Sequence, residues 1–257
     1  MPLTPMHFLI VCPLVFAAGF VDSIAGGGGL ISLPAYLISG LPVHASIATN
    51  KLSSSMGTCI STARYAKNGY INWKLSVFCI VSALVGASLG ANLALLLDDV
   101  LFRFLMLIIL PVTAVYVMRK KDLFSSESRT DLPFCHLVVL ASFIAFGIGM
   151  YDGFYGPGTG TFLILLLTRF AHMDLTQANG LSKAINLTSN LTSLTVYLLN
   201  GQVIMLLGLI AGAFSILGNY LGSRSFARRG ASIARPIILL VLILFSVRTI
   251  LEFAGIL

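Results

Sequence analysis

Charge is what this sequence has least of. Asp, Glu, Lys and Arg make up only 10% of its 257 residues, against 57% hydrophobic, and its mean hydropathy is +0.96. A soluble domain of this length needs a polar surface, so the scarcity excludes water as the main solvent. Motifs that would hold metals or cofactors are missing too. Cys12, Cys59, Cys79 and Cys135 show no CxxC spacing and lie in or beside apolar segments, where a thiol serves as a small core residue rather than a disulfide partner or ligand. His7, His44, His136 and His172 form neither HxxxH nor HExxH, so no metal is expected. No Gly-Lys-Ser/Thr follows the glycine runs, and Ile31 and Leu163 stand where a GxGxxG would need its last glycine; nucleotide binding is disfavoured and no cofactor is implied. The absence of a GxSxG elbow, a paired-histidine metal site and a GxGD motif argues against a membrane-embedded enzyme. Met1 to His7 contains neither Lys nor Arg, and no clean small-residue cleavage site follows, so the first apolar stretch reads as a mature helix rather than a secretory signal.

What is present is a series of apolar stretches, several reaching the length of about 20 residues that crosses a bilayer's hydrocarbon core. The net charge of +7 could suggest nucleic acid, but the Lys and Arg residues fall mainly at the ends of apolar segments, where they orient a membrane protein. The partners expected are lipid and a small solute, not nucleic acid.

The chain repeats itself. Gly19, Asp22, Gly26 and Gly28 reappear 130 positions on as Gly149, Asp152, Gly156 and Gly158. At an offset of 132, Lys51, Ser61, Tyr65, Asn68, Gly69, Gly86, Leu89, Gly90 and Arg103 recur as Lys183, Ser193, Tyr197, Asn200, Gly201, Gly218, Leu221, Gly222 and Arg235. A collinear series that includes Asp, Lys, Tyr, Asn and Arg marks a tandem duplication. The units are 1–118 and 134–257, joined by a linker at 119–133. Each begins with an apolar helix, at about 6–24 and 134–151, followed by a Gly-rich break, a short apolar piece and a polar-flecked helix. Two further apolar helices close each unit, at about 73–97 and 100–118 in the first and 202–223 and 236–254 in the second. The short pieces, Leu30 to Ser39 and Thr161 to Ala171, span only about 15 Å as helices and cannot cross the bilayer alone. Non-helical backbone at membrane depth needs protein or a watery cavity around it, so each break should line an internal site. The alternative is a surface loop between two ordinary helices.

Charge placement sets the relative orientation of the units. In the first, Arg64, Lys67 and Lys74 flank the bend at Gly69 and the next bend carries Asp98 and Asp99; in the second, the bend at Gly201 is uncharged and the next holds Arg224, Arg228 and Arg229. Basic loops face the cytoplasm, so equivalent loops should face opposite sides. The basic linker falls inside and both termini outside. The expected fold is therefore an all-α integral membrane protein of two inverted-topology repeats, an architecture of secondary transporters whose substrates bind near the midplane where interrupted helices meet.

The residues able to carry chemistry cluster at the breaks. Asp22 and Asp152 end the first helix of each unit, ahead of Gly26-Gly27-Gly28-Gly29 and Gly156-Pro157-Gly158-Thr159-Gly160. A carboxyl at membrane depth costs roughly 2.5–3.5 kcal/mol on insertion scales, so a repeated one needs a reason: proton coupling, or a cap holding the turn. Glycines let backbone N–H groups converge, and a helix starting there points its positive end at the break, which suits an anion; they could equally permit only tight turns and close packing. Lys51 and Lys183 begin the next helix of each unit, either facing a polar interior or snorkelling from a helix end. Asn50, Asn186 and Asn190 add polar groups; the last two match glycosylation sequons but sit within a predicted membrane helix and read as packing or cavity residues. Arg248 and Glu252, four apart on the last helix, could pair structurally. The candidate anion site is thus Gly26, Gly27, Gly28, Gly29, Asn50, Lys51, Gly156, Gly158, Gly160, Lys183 and Asn186, with Asp22 and Asp152 for protons. A passive anion channel would use much the same residues.

The run from Gly19 to Leu30, Leu33-Pro34, Gly40-Leu41-Pro42 and Ala48-Thr49-Asn50-Lys51 resembles the opening signature of the TauE/SafE family, the sulfite exporters, and Gly156-Pro157-Gly158 with Gly180-Leu181-Ser182-Lys183 is similar to that family's second half. The resemblance covers nearly the whole chain. It implies transport of a sulfur-containing anion, such as sulfite or an organosulfonate, across the cytoplasmic membrane. The second break departs from the first, with Gly-Pro-Gly-Thr-Gly in place of four glycines, which leaves each half's contribution to binding open.

Overall fold

The computed structural model describes residues 3–97 and 132–229, with Ile233 and Ile237. Linker residues 119–131, the helix expected at about 100–118, the one expected at about 236–254 apart from Ile237, and Arg248 with Glu252 lie outside the described residues. Among the described residues there are only helices. They are α1 (Pro5–Ala25), α2 (Gly29–Ile38), α3 (Val43–Lys67), α4 (Trp73–Leu95), α5 (Phe134–Phe154), α6 (Thr159–Phe170), α7 (Leu175–Leu199) and α8 (Met205–Arg229). The order long, short, long, long occurs twice.

Four of them, α1, α4, α5 and α8, are long and apolar enough to cross a membrane. Their outward faces keep large apolar side chains exposed, such as Phe78, Val81 and Leu89 on α4 and Leu206, Phe214 and Leu217 on α8, as expected where lipid is the solvent. α3 and α7 are equally long, 25 residues each, but turn Lys, Asn, Ser and Thr inward. The short helices have 10 and 12 residues, too few to span about 30 Å.

Local chemistry sets the helix ends. α7 starts at Asp174, whose carboxylate accepts from Thr176 N at 2.9 Å and Gln177 N at 3.0 Å, satisfying two N-terminal donors. The Asn-Gly pairs after α3 and α7 end both helices the same way. Gly69 and Gly201 are left-handed, and Tyr70 N and Gln202 N reach back to Tyr65 O and Tyr197 O, both at 3.0 Å, closing the last carbonyls as such caps do.

Packing exchanges partners between the halves. α1 lies against α8 and α4 against α5, while α3 and α7 pack on each other in the centre and on α8 and α4 respectively. Close approach comes from small residues: a Cβ at Gly218 would stand 2.2 Å from Phe16 O, and one at Gly86 would stand 2.2 Å from Phe146 O. Helix backbones in contact gain van der Waals packing, which replaces the hydrophobic effect inside lipid. Two tyrosines tie α3 and α7 to the ends of the first helices. Tyr65 donates to Ser23 O at 2.8 Å and Tyr197 to Gly153 O at 3.0 Å.

Candidate functional site

Both Gly-rich breaks are interior. α1 stops at Gly26, which is left-handed with φ 74° and returns its N–H to Asp22 O at 2.8 Å. The two breaks then cross in contact. Thr161 N donates to Gly26 O at 3.2 Å, and Thr161 Oγ1 to Ala25 O at 2.8 Å. A Cβ on Gly26 would fall 2.2 Å from the Gly160 carbonyl carbon, and one on Gly160 would fall 2.5 Å from Gly26 Cα. At this crossing glycine is required by space, and at Gly26 by its positive φ as well. The surface-loop alternative for the breaks does not hold.

Neither lysine begins its helix. Lys51 and Lys183 lie about two turns inside α3 and α7, because those helices start at Val43 and Leu175, upstream of the polar residues that suggested a boundary. They do not snorkel either: both are buried, each paired with the aspartate of the opposite half. Lys51 Nζ lies 2.9 Å from Asp152 Oδ1 and donates to Asn190 Oδ1 at 3.0 Å, and Asn190 Nδ2 in turn donates to Asn186 Oδ1 at 3.1 Å. Lys183 Nζ lies 3.1 Å from Asp22 Oδ2 and also donates to Asp22 O. The pairs cross: α3 to α5, and α7 to α1.

Their surroundings differ. Asp152 accepts two more bonds, from Thr159 Oγ1 at 2.8 Å and Ser189 Oγ at 2.5 Å, and its side chain is 3% exposed. At the matched positions of the first half stand Gly29 and Gly57, which have no hydroxyl to offer Asp22. The Asp22 side chain is 14% exposed. Asp152 is the more enclosed of the two carboxylates, and Asp22 has the more open space beside it.

That space is a cavity of about 30 Å³, room for one or two waters by the usual measure. Of the sequence-predicted residues, Asp22, Gly26, Gly28, Gly29, Asn50, Lys51, Asp152, Gly156 and Asn186 line it. Gly27, Gly158, Gly160 and Lys183 do not. Gly160 is spent on the crossing, and Lys183 is fully buried behind Asp22. The cavity wall also includes Ser54, Thr58, Thr159, Ser215 and Asn219, which the sequence reading passed over. Ser and Thr are common packing residues in apolar helices, so only Asn219, at position four after Ser215 and deep in an apolar run, gave a usable signal.

The four central charges sum to zero, so each lysine's field is largely answered by its aspartate. The cavity also touches the starts of α2 and α6, at Gly29 and Thr159, the positive ends of those helices. Among the described residues no group of His, Cys, Asp and Glu is placed to hold a metal.

The sequence profile of the sulfite exporters TauE/SafE matches residues 11–249. Similar proteins include probable membrane transporter protein ORF9 of Sinorhizobium sp, 34% identical over 96% of this chain and 93% of its own length. A probable membrane transporter protein of Haemophilus influenzae is 30% identical over 92% of each chain. YfcA of Escherichia coli K12, also a probable membrane transporter protein, is 30% identical over 98% of this chain and 93% of its own. No solved structure matches. With a profile that spans most of the chain and relatives aligned almost end to end, this protein belongs to the TauE/SafE sulfite exporter family of membrane transporters.

Proposed function

We propose that this transporter carries a small anion, of the sulfur oxyanion or organosulfonate class, through the cavity at the crossing of the two breaks, coupled to protons and by alternating access between two inverted repeats at 1–118 and 134–257. The observation that carries the reading is the exchanged pair of buried ions, Lys51 with Asp152 and Lys183 with Asp22. Each pair bridges the halves, so movement of one half against the other must strain or break both. Breaking a buried pair outright leaves an unpaired charge at a cost of about 3–5 kcal/mol. A proton on the aspartate together with an anion at the lysine removes most of that cost, because each charge is answered again. Proton and anion then enter as a unit, which is symport. In a poorly hydrated site, where screening is weak, the freed lysine attracts the anion more strongly than it would in bulk water.

With room for one or two waters in this conformation, the cavity must widen for either class, and less for a compact inorganic anion than for a two-carbon sulfonate. The anion's negative charge also suits the helix starts at Gly29 and Thr159. The same reading sets the protein in the cell membrane with both termini outside.

The test is flux in proteoliposomes carrying the purified protein, with sulfite and sulfoacetate as probes and an imposed proton gradient. Gradient-driven accumulation that is lost in Lys51→Ala and Lys183→Ala is the expected result. Transport of neither probe refutes the substrate class, and currents indifferent to the proton gradient would identify a passive anion channel.

A further inference from the structure

The two seams that flank the site share one backbone arrangement and have opposite linings. In the α1–α8 seam, Gly19 meets Ser215 and Asn219, with a Cβ there falling 2.7 Å from Ser215 O and 2.8 Å from Asn219 Nδ2. In the α4–α5 seam, the matched Gly149 meets Ala83, with a Cβ there falling 2.9 Å from Ala83 O. The offset of 132 that aligns the halves places Ala83 and Ala87 opposite Ser215 and Asn219. Both alanines are fully buried. The cavity extends into the first seam, between α1, α3 and α8, past Ser54, Thr58, Ser215 and Asn219, and touches neither Ala83 nor Ala87.

Asn219 is the second observation. It is 1% exposed, its Nδ2 donates to Ser215 O at 3.1 Å, and its Oδ1 has no partner among the described residues. The bond to the Ser215 carbonyl fixes the amide's orientation, since a flipped amide would set oxygen against oxygen. A buried acceptor left without a donor is costly, so a ligand that brings a donor to it is favoured. Gly57 on α3 lets the other end of the amide pack closely: a Cβ there would stand 2.4 Å from Asn219 Nδ2.

Resting on the anion reading above, we propose that the ligand reaches the site along the α1–α3–α8 seam and that Asn219 Oδ1 accepts a hydrogen bond from it there. The ligand suited to this contact is a small oxyanion that carries an O–H. Its remaining oxygens turn toward Lys51 and the helix starts, and its one donor turns toward Asn219. A fully deprotonated or methyl-capped anion has nothing to give that oxygen.

Two arms test this on the full-length protein in lipid vesicles. In a background lacking the native cysteines, single cysteines at Ser215, Asn219, Ala83 and Ala87 are exposed to a small charged methanethiosulfonate. The 215 and 219 variants should react at least about tenfold faster than the matched 83 and 87 variants, the ratio that separates a lined path from a closed seam. Equal rates, or faster reaction at 83 and 87, overturn the route. In the second arm, thermal shifts measure binding of hydrogen sulfite and of methanesulfonate. Wild type should prefer hydrogen sulfite, and Asn219→Ala should weaken hydrogen sulfite roughly tenfold, one neutral hydrogen bond's worth, while leaving methanesulfonate unchanged. Asn219→Gln, which retains the acceptor, should recover part of the preference. An unchanged preference in Asn219→Ala overturns the contact. The labelling arm does not depend on the ligand's identity: failure of the wild type to bind either probe refutes the anion reading and leaves the route to stand or fall on the cysteines.

Discussion

Removing the Lys51 ammonium isolates a charge that nothing else in the described structure can neutralise. In Lys51→Ala, Asp152 keeps the hydroxyls of Thr159 and Ser189 but loses its cation, and Asn190 Oδ1 loses its donor. Both ion-pair side chains are nearly inaccessible, at 2% and 3%, and the cavity they line holds too few waters to solvate a carboxylate as bulk water does. Breaking a buried pair in this way costs about 3–5 kcal/mol, and for a chain of this length each kcal/mol moves Tm by roughly 2–4 °C, giving a fall of about 6–20 °C. Replacing both members tells a different story. In Lys51→Met/Asp152→Leu no charge remains, and the two hydroxyls still have carbonyls in reach, Gly156 O at 2.6 Å from Thr159 Oγ1 and Asn186 O at 3.2 Å from Ser189 Oγ. That double variant should recover most of the loss, since apolar replacement of a buried pair is often neutral. Scanning fluorimetry on the detergent-purified protein, with size exclusion to verify dispersity, measures all three. A Lys51→Ala protein within about 2 °C of wild type, less than one kcal/mol on this scale, or a double variant worse than the single, refutes the premise that the pair is desolvated and coupled.

Asp22→Asn should unlink anion movement from pH. Wild type should accumulate the anion under an imposed proton gradient, whereas the amide, which cannot carry a proton, should give exchange without gradient-driven accumulation; accumulation equal to wild type refutes its role in coupling. Gly26→Ala should prevent folding, because its Cβ would fall 2.2 Å from the Gly160 carbonyl carbon; Gly40→Ala, at a positive φ of 88° but with open space around it, should cost only about 1–2 kcal/mol. Monodisperse yield after purification separates the two, and equal yields argue against the tight crossing. Cysteines at Asn68 and Asn200, both exposed and both in Asn-Gly caps, should label from opposite faces of sealed vesicles with an impermeant reagent. Labelling from one face rejects the inverted repeat.

The architecture was legible because lipid makes simple demands. Apolar length located α1, α4, α5 and α8, and the ten-residue pieces were too short to cross alone. Repetition located the buried charges: Asp22, Asp152, Lys51 and Lys183 stood out as expensive residues placed twice. What repetition could not supply was partnership. Asp22 and Lys51 lie 29 positions apart in one half, and their like spacing in the other invites pairing within each unit. The fold pairs them across, since α1 and α5 each pack on the far half. Nor could composition show that α3 and α7 begin at Val43 and Leu175, where an apolar residue follows a proline in one case and a capping aspartate in the other.

Around the cavity the two copies disagree, and a search for likeness passes over those positions. Gly29 faces Thr159 in the alignment, Gly57 faces Ser189, and Ala83 and Ala87 face Ser215 and Asn219. Each difference has a physical result in one direction. The hydroxyls of Thr159 and Ser189 enclose Asp152, the glycines leave Asp22 open, and the alanines close the seam whose counterpart is lined by Ser215 and Asn219. A duplicated chain with identical linings would present the same surface to a ligand from both sides. This one has kept the backbone crossing common to both halves, where glycine and close packing leave no latitude, and has diverged at side chains that the crossing does not constrain. Symmetry therefore belongs to the backbone crossing, and asymmetry to the side chains around the cavity.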